Sequence, residues 1–291
     1  MSSILTNNSA MTALATLKEV NRGLNETQSR VSTGLQVSSG KDNAAYFAIS
    51  ETMKGDSGMF KAINEGMTAT KNSVATARLG AETVSDLAQE MVERIAFAQS
   101  NGINKADVQN ELDALVTNMQ SAIDQATFNG DDLVGEASST VTVVTGISRA
   151  GVSFSTTSIT FDTVDLQGIH DALAAIDLNA VDVADDPLTT GTDETFKAPT
   201  MEKNLAAAEA QLSAAITAST SLGITENTLD GQMQFLDSLT DTLDSGVSSM
   251  VDADMEEEAA RLQAYQVQQQ LATQSLSIAN QAPQNILSLF R

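Results

Sequence analysis

The residues able to do chemistry are few and scattered. The densest group is Asp252-Ala253-Asp254-Met255-Glu256-Glu257-Glu258. Two carboxylates held at a fixed separation could cleave a glycosidic bond, but the simpler reading is an acidic helix start in solvent, favoured by the helix dipole. Asp162, Asp165, Asp185 and Asp186 could share a weakly held Ca²⁺. Their spacing misses the EF-hand loop, so solvated surface is the expectation. His170, the one histidine, cannot make a zinc or haem site alone, and in Leu166-Gln167-Gly168-Ile169-His170-Asp171 it reads as a helix-surface residue. There is no cysteine, which removes disulfides, thiol catalysis and thiolate metal sites. No G-x-x-x-x-G-K-[ST] loop, G-x-S-x-G elbow or H-E-x-x-H helix occurs. The expectation is a non-enzymatic chain with no catalytic residue, no cofactor and no metal.

Charge points the same way. Fifteen basic against 38 acidic residues leave a net charge of −23, which argues against nucleic acid or an anionic membrane as partner. The distribution is uneven: residues 1–17 and 262–290 carry no charge. Exposed surface is kept soluble by charge, so ends this bare are expected to become buried somewhere. They are not membrane spans, because Asn7, Asn8 and Ser9 interrupt the head and five glutamines between Gln263 and Gln270 interrupt the tail. The head also lacks the basic and apolar regions of a secretory signal, so export would need another route.

Stepping seams of three and four residues dominate the chain and predict helices. Leu17, Val20, Leu24, Thr27, Val31 and Gly34 form the first. An unbroken series from Phe60 through Ile63, Met67, Val74, Val84 and Ile95 to Ala98 forms the second, which Asn101-Gly102 ends. Asn104 caps a third, with Val108, Leu112, Leu115 and Met119 on its seam, closed by Phe128-Asn129-Gly130. The period then changes to two: Val141, Val143 and Thr145, then Val152, Phe154, Thr156, Ile159 and Phe161 predict a hairpin or small meander, with Gly146 and Gly151 bracketing the connection. Residues 177–200 are acidic and turn-rich, an exposed loop or insertion. From Met201 helices resume, with Leu205, Leu212, Leu222, Leu229, Leu236, Leu243 and Val247 on the seam. The acidic run at 252–258 breaks that register before Leu262, Tyr265, Ala272, Leu276, Ala279, Ile286 and Phe290 start a new one. The expected fold is mainly α: a long antiparallel coiled-coil rod with a small central β-hairpin region, its N- and C-terminal helices paired.

Two stretches, one near each end, carry a family resemblance. Arg30-Val31-Ser32-Thr33-Gly34-Leu35-Gln36-Val37, followed by Lys41-Asp42-Asn43-Ala44-Ala45, resembles the flagellin signature R-[LI]-S-[ST]-G-x-x-[IV] and K-D-[DN]-A-A. Ile4-Leu5-Thr6-Asn7 resembles the family's I-x-T-N start. Near the other end, Asp252 and Asp254 begin a stretch similar to D-x-D-x-x-x-E. Asn280-Gln281-Ala282-Pro283-Gln284-Asn285-Ile286-Leu287-Ser288-Leu289-Phe290 resembles the A-N-Q-x-P-Q-x-[VI]-L-x-L-[LF] ending. The head looks closest to α-proteobacterial flagellins.

The resemblance implies a structural subunit of the flagellar filament, extracellular, exported by the flagellar type III system and polymerised for swimming. It implies a homopolymer, contacts with hook-associated and cap proteins, and an export chaperone, with no nucleic acid and no membrane insertion. A hook–filament junction protein of the same superfamily is the alternative, although the tail favours flagellin proper. By the same resemblance, residues 1–43 and 250–291 form an inner tube of terminal helices. Residues 44–249 form the outer tube, and a small exposed insertion lies around 160–200. The assembly residues would be Arg30, Gly34, Lys41, Asp42, Asn43, Asp252, Asp254, Leu262, Tyr265, Leu276, Asn280, Gln281, Pro283, Ile286, Leu287 and Phe290. The outer-tube core would be Ile63, Val74, Val84, Ile95, Leu112, Leu115, Leu236 and Leu243.

Overall fold

The computed structural model describes residues 7–100, 102–135, 139–150, 153–179 and 200–289. The elements run α1 (Asn8–Thr33), α2 (Ala44–Ala98), α3 (Lys105–Gln125), β1 (Thr140–Ala150), β2 (Ser153–Asp162), α4 (Leu166–Ala174), α5 (Thr200–Val251) and α6 (Met255–Leu289). The chain is mainly helical, as its seams require. It divides into two compact units, one built from residues up to Gly58 together with those from Thr240 onward, the other from Met59–Leu239.

Helix α2 begins well before Phe60, where the apolar seam starts. The seam does continue upstream, but through Ser57 and Ser50, both buried. A hydroxyl can occupy a seam position if it is hydrogen-bonded. The Ser57 hydroxyl donates to Asp244 Oδ1 at 2.7 Å and that of Ser50 to the Phe47 carbonyl at 3.0 Å. A search for apolar periodicity alone passes over them.

In the Met59–Leu239 unit, Val74, Val84 and Ile95 are fully buried, and Leu112 and Leu236 nearly so. Ile63, expected in the same core, is only half-buried, as is Leu115 on α3; in the other unit Leu243 on α5 is half-buried too. Each is covered on only part of its surface. On α3 the deep position is filled by Ile123, which the seam reading passed over. Polar pairs flank the core at seven-residue steps along α2: Asn64 donates to Asp237 at 2.5 Å, Lys71 pairs with Asp230 at 2.5 Å and Arg78 with Glu226 at 2.8 Å. Partner numbers fall as α2 numbers rise, so α2 and α5 run antiparallel. Gly80 lies where a Cβ would collide with Ala126, which lets the end of α3 approach α2 closely.

The turn after α3 is as expected: Asn129 and Gly130 both have positive φ, 53° and 90°, and Phe128 and Asp131 exchange backbone hydrogen bonds. The β region is one antiparallel hairpin, with Val143 opposite Ile159 and Val141 opposite Phe161. Gly146 does not bracket the connection. It sits inside β1 beside an irregularity at Val144/Gly146, where a Cβ would meet the Thr157 hydroxyl at 2.8 Å. Val152 and Gly151 lie outside the described residues.

Residues 160–179, read above as the start of an exposed insertion, hold the end of β2 and helix α4, and bury Leu166, Ile169, Leu173, Ile176 and Leu178. Asp165 is the α4 cap, its Oδ1 accepting from the Gly168 N–H at 2.6 Å, and Asp162 accepts from Thr140 at 2.8 Å. Asp185 and Asp186 lie outside the described residues. The His170 side chain is only 13% exposed, not a surface group. Its Nδ1 lies 2.8 Å from Asp171, whose carboxyl is held below the usual range first by that bond and then by Gln167. Among the described residues no cluster of three His, Asp or Glu could hold a metal ion, and no helix is long and apolar enough to cross a membrane.

Candidate functional site

Two of the resemblance motifs, at 30–45 and 252–258, meet at one place, where both terminal helices are interrupted. Helix α1 ends at Gly34, whose φ of 74° is open to glycine and costly for other residues. Its N–H bonds the Arg30 carbonyl at 2.8 Å. The chain then runs alongside the break between α5 and α6. The Gln36 and Val37 N–H groups both donate to the Val251 carbonyl, at 2.7 and 3.2 Å, Ala253 donates back to the Gly34 carbonyl at 2.9 Å, and Leu35 bridges Asp252. Backbone groups freed by stopping two helices are thus satisfied by each other. Val37, Val247 and Val251 form a small core beneath, with Leu35, Phe47, Met53 and Met250 against it.

Three polar signature residues have a local task here. Asp42 accepts four hydrogen bonds from the backbone and hydroxyls of Ser38 and Ser39, at 3.0–3.1 Å. Those bonds, the Ser38 hydroxyl first, hold its carboxyl below the ordinary value of 3.8. Asn43 caps α2, accepting from the Ala45 and Tyr46 N–H groups at 3.1 and 3.2 Å. Asp254 caps α6 in the same way, accepting from Glu256 and Glu257 at 3.0 and 3.2 Å. Lys41, Asp252 and Asp254 are exposed.

The reading of 252–258 as wholly solvated fails at Glu258. It is 4% exposed and the one charged residue buried among those described. Its Oε1 accepts from Arg30 and Arg261, both at 3.2 Å, and Arg30 and Arg261 also hold Glu26 and Glu257. Its Oε2 is buried without a partner. Glu258 lies one heptad before Tyr265 and two before Ala272, so the α6 seam begins with a carboxylate that the search for apolar residues passed over.

Beyond that cluster α1 and α6 pair antiparallel: Tyr265 packs on Gly23, Gln269 donates to Asn21 at 2.6 Å, and Asn7 donates to the Ala279 carbonyl at 2.8 Å. A Cβ on Gly23 would lie 2.6 Å from the Tyr265 ring, so the residue is small because the ring needs the space. Val20, Thr27 and Ala272 are buried; Leu262, Tyr265 and Leu276 are half-buried. Asn280 and Gln281 are exposed. Helix α6 runs through Pro283, Ile286 and Leu287, and Phe290 lies outside the described residues. Sequence reasoning missed Asn21, Gly23, Gln269 and Glu258; for the last three, heptad spacing from Arg30, Leu262 and Tyr265 was the available signal.

The chain matches two family models, the bacterial flagellin N-terminal helical region over residues 4–138 and the bacterial flagellin C-terminal helical region over 205–290. It is 35% identical to a flagellin of Brucella melitensis and 31% identical to flagellin FljM of Caulobacter vibrioides, over the whole of this chain and 100% and 99% of those proteins. It is 33% identical to flagellin A of Rhizobium meliloti along the full length of both. That last alignment runs 395 positions against 291 residues here, so 104 residues of the relative have no counterpart.

Proposed function

We propose a function on one premise: the chain belongs to the bacterial flagellin family. It is a structural subunit of the extracellular flagellar filament, and it polymerises with other flagellin subunits. The observation that carries this to particular residues is the charge-free pairing of α1 with α6. Net charge is −23, so identical subunits repel least where charge is absent, and the two longest charge-free runs of the chain fall on the two helices that lie together here.

On this reading residues 1–43 and 250–291 line the inside of the filament, and 44–249 surround them. A small part around 160–200 faces outward. The residues missing relative to the Rhizobium protein are then outer ones. Arg30, Gly34, Asp42, Asn43, Asp252 and Asp254 fix the break at which the terminal pair stops. Leu262, Tyr265 and Leu276 pair the helices. Asn280, Gln281, Pro283, Ile286, Leu287 and Phe290 contact neighbouring subunits, and Lys41 stays in solvent. The subunit leaves the cell through the flagellar type III route with an export chaperone on its apolar tail, meets hook-associated and cap proteins, and catalyses nothing. Negative-stain microscopy of the purified chain, with salt added to screen its charge, tests the reading: long uniform filaments are expected, and a protein that stays monomeric at every salt concentration contradicts it.

A further inference from the structure

The α1–α6 pair has two unlike flanks. Along one runs a trough floored by Ala13, Val20, Ala272 and Ala279, where small side chains keep the seam shallow. Leu271 and Ile278, 57% and 65% exposed, wall it on the α6 side. Two stretches, of about 300 and 670 Å³, join at Ala13, Thr16 and Ser275, and every lining residue is uncharged. On the other flank Met11 and Leu14 stand out, 63% and 42% exposed. At 100° per residue they fall on the side of α1 opposite Thr12 and Thr16, which line the trough, and at the same height along the pair.

We propose that the trough receives Met11 and Leu14 of a second copy of this chain. The inference rests on the filament-subunit reading and specifies its contact. Two observations choose a second copy over another partner. Lys18 is the first charge in the head and Arg261 the last before Arg291, so the knob and all of the trough but Val20 lie in the two longest stretches where such acidic chains meet without like charges facing. Knob and trough are also different patches at one height on opposite flanks. A patch that meets a different patch is heterologous, so the contact repeats from copy to copy instead of stopping at a dimer.

The chain has no cysteine, so introduced thiols are unambiguous. Leu14→Cys and Ser275→Cys subunits are mixed equally, polymerised under reducing conditions and then oxidised. Covalent dimers are expected from the mixture and none from filaments of either variant alone. Leu14→Ala, which keeps a good helix former in α1, is the second measurement: its critical concentration for polymerisation should rise about tenfold. Filaments that give no mixed dimer, that link one Leu14→Cys subunit to another, or whose critical concentration is unchanged in Leu14→Ala overturn the inference and leave the filament reading standing. A wild-type chain that never polymerises overturns the filament reading itself.

Discussion

The Met59–Leu239 unit and the paired terminal helices solve the same packing problem to different degrees. In the central unit Met67, Val74, Val84, Met91, Ile95, Leu112, Met119, Leu222 and Leu229 are all but inaccessible, with polar pairs outside them. Between α1 and α6, among the described residues, only Val20, Thr27, Glu258 and Ala272 are buried, and Met11, Leu14, Val267, Leu271 and Ile278 are exposed. One region has a closed interior, although Leu79, Phe97, Ile216, Ile224 and Phe235 stand exposed on its surface. The other is a slice of an interior whose remaining walls must come from elsewhere, since a helix apolar on more than one side is stable only when more than one side is covered. On the function proposed above, polymerisation completes that core, and the charge-free composition of the ends fits burial there.

The contrast can be broken most severely by removing half of the incomplete part. Deleting residues 262–291 should abolish filaments by electron microscopy and leave a cooperative melting transition in circular dichroism, because the central seams close without them. Normal filaments from the truncated chain would end the argument from burial. The opposite break is Val84→Asp, which puts an unpaired charge at a position with no exposure. It should destabilise the central unit by about 4 kcal/mol or more, read as lost helicity or a collapsed melting temperature; an unchanged melt would mean the seam is not a core.

A smaller effect sharpens the comparison at the border between terminal helices and break. Glu258→Ala leaves Arg30 and Arg261 without their shared acceptor. Both arginines keep a second carboxylate and partial solvent access, so a loss of about 2 kcal/mol is expected, below the figure for a closed site. Amide exchange should quicken first in α1 and the start of α6, with the central helices unchanged. The smallest effect is at Asp42. Its carboxyl ionises more readily when folded, so its contribution is complete above the ordinary value of 3.8 and lost as pH falls below it. Protection of the Ser38 and Ser39 amides, their exchange relative to that of the free peptide at the same pH, should fall on acidification through that range. In Asp42→Asn that protection should be the same on both sides of it.

Much of this was legible along the chain because helix seams are local and periodic. The Asn104 cap, the Phe128-Asn129-Gly130 turn and the α5–α6 break at 252–254 were all placed by residue type and spacing. Less legible was any position whose residue type disagrees with its burial. Ser50 and Ser57 hid the first four turns of α2, Glu258 hid the start of the α6 seam, and Gly146 passed for a turn residue while serving an irregularity inside a strand. Ile63, Leu115 and Leu243 passed for core because periodicity gives the facing side of a helix but not how deeply each position on it is covered.

By itself, then, the sequence determined the helices, the hairpin and the family, since these depend on local period, turn chemistry and the motifs near each end. Only the tertiary structure decided that the Arg30–Gly34 and Val251–Asp254 segments satisfy each other's backbone, that one carboxylate is buried between two arginines, and that the terminal pair is grooved on one flank and knobbed on the other. Those features are made by residues more than two hundred positions apart, and no local pattern contains a distance between them.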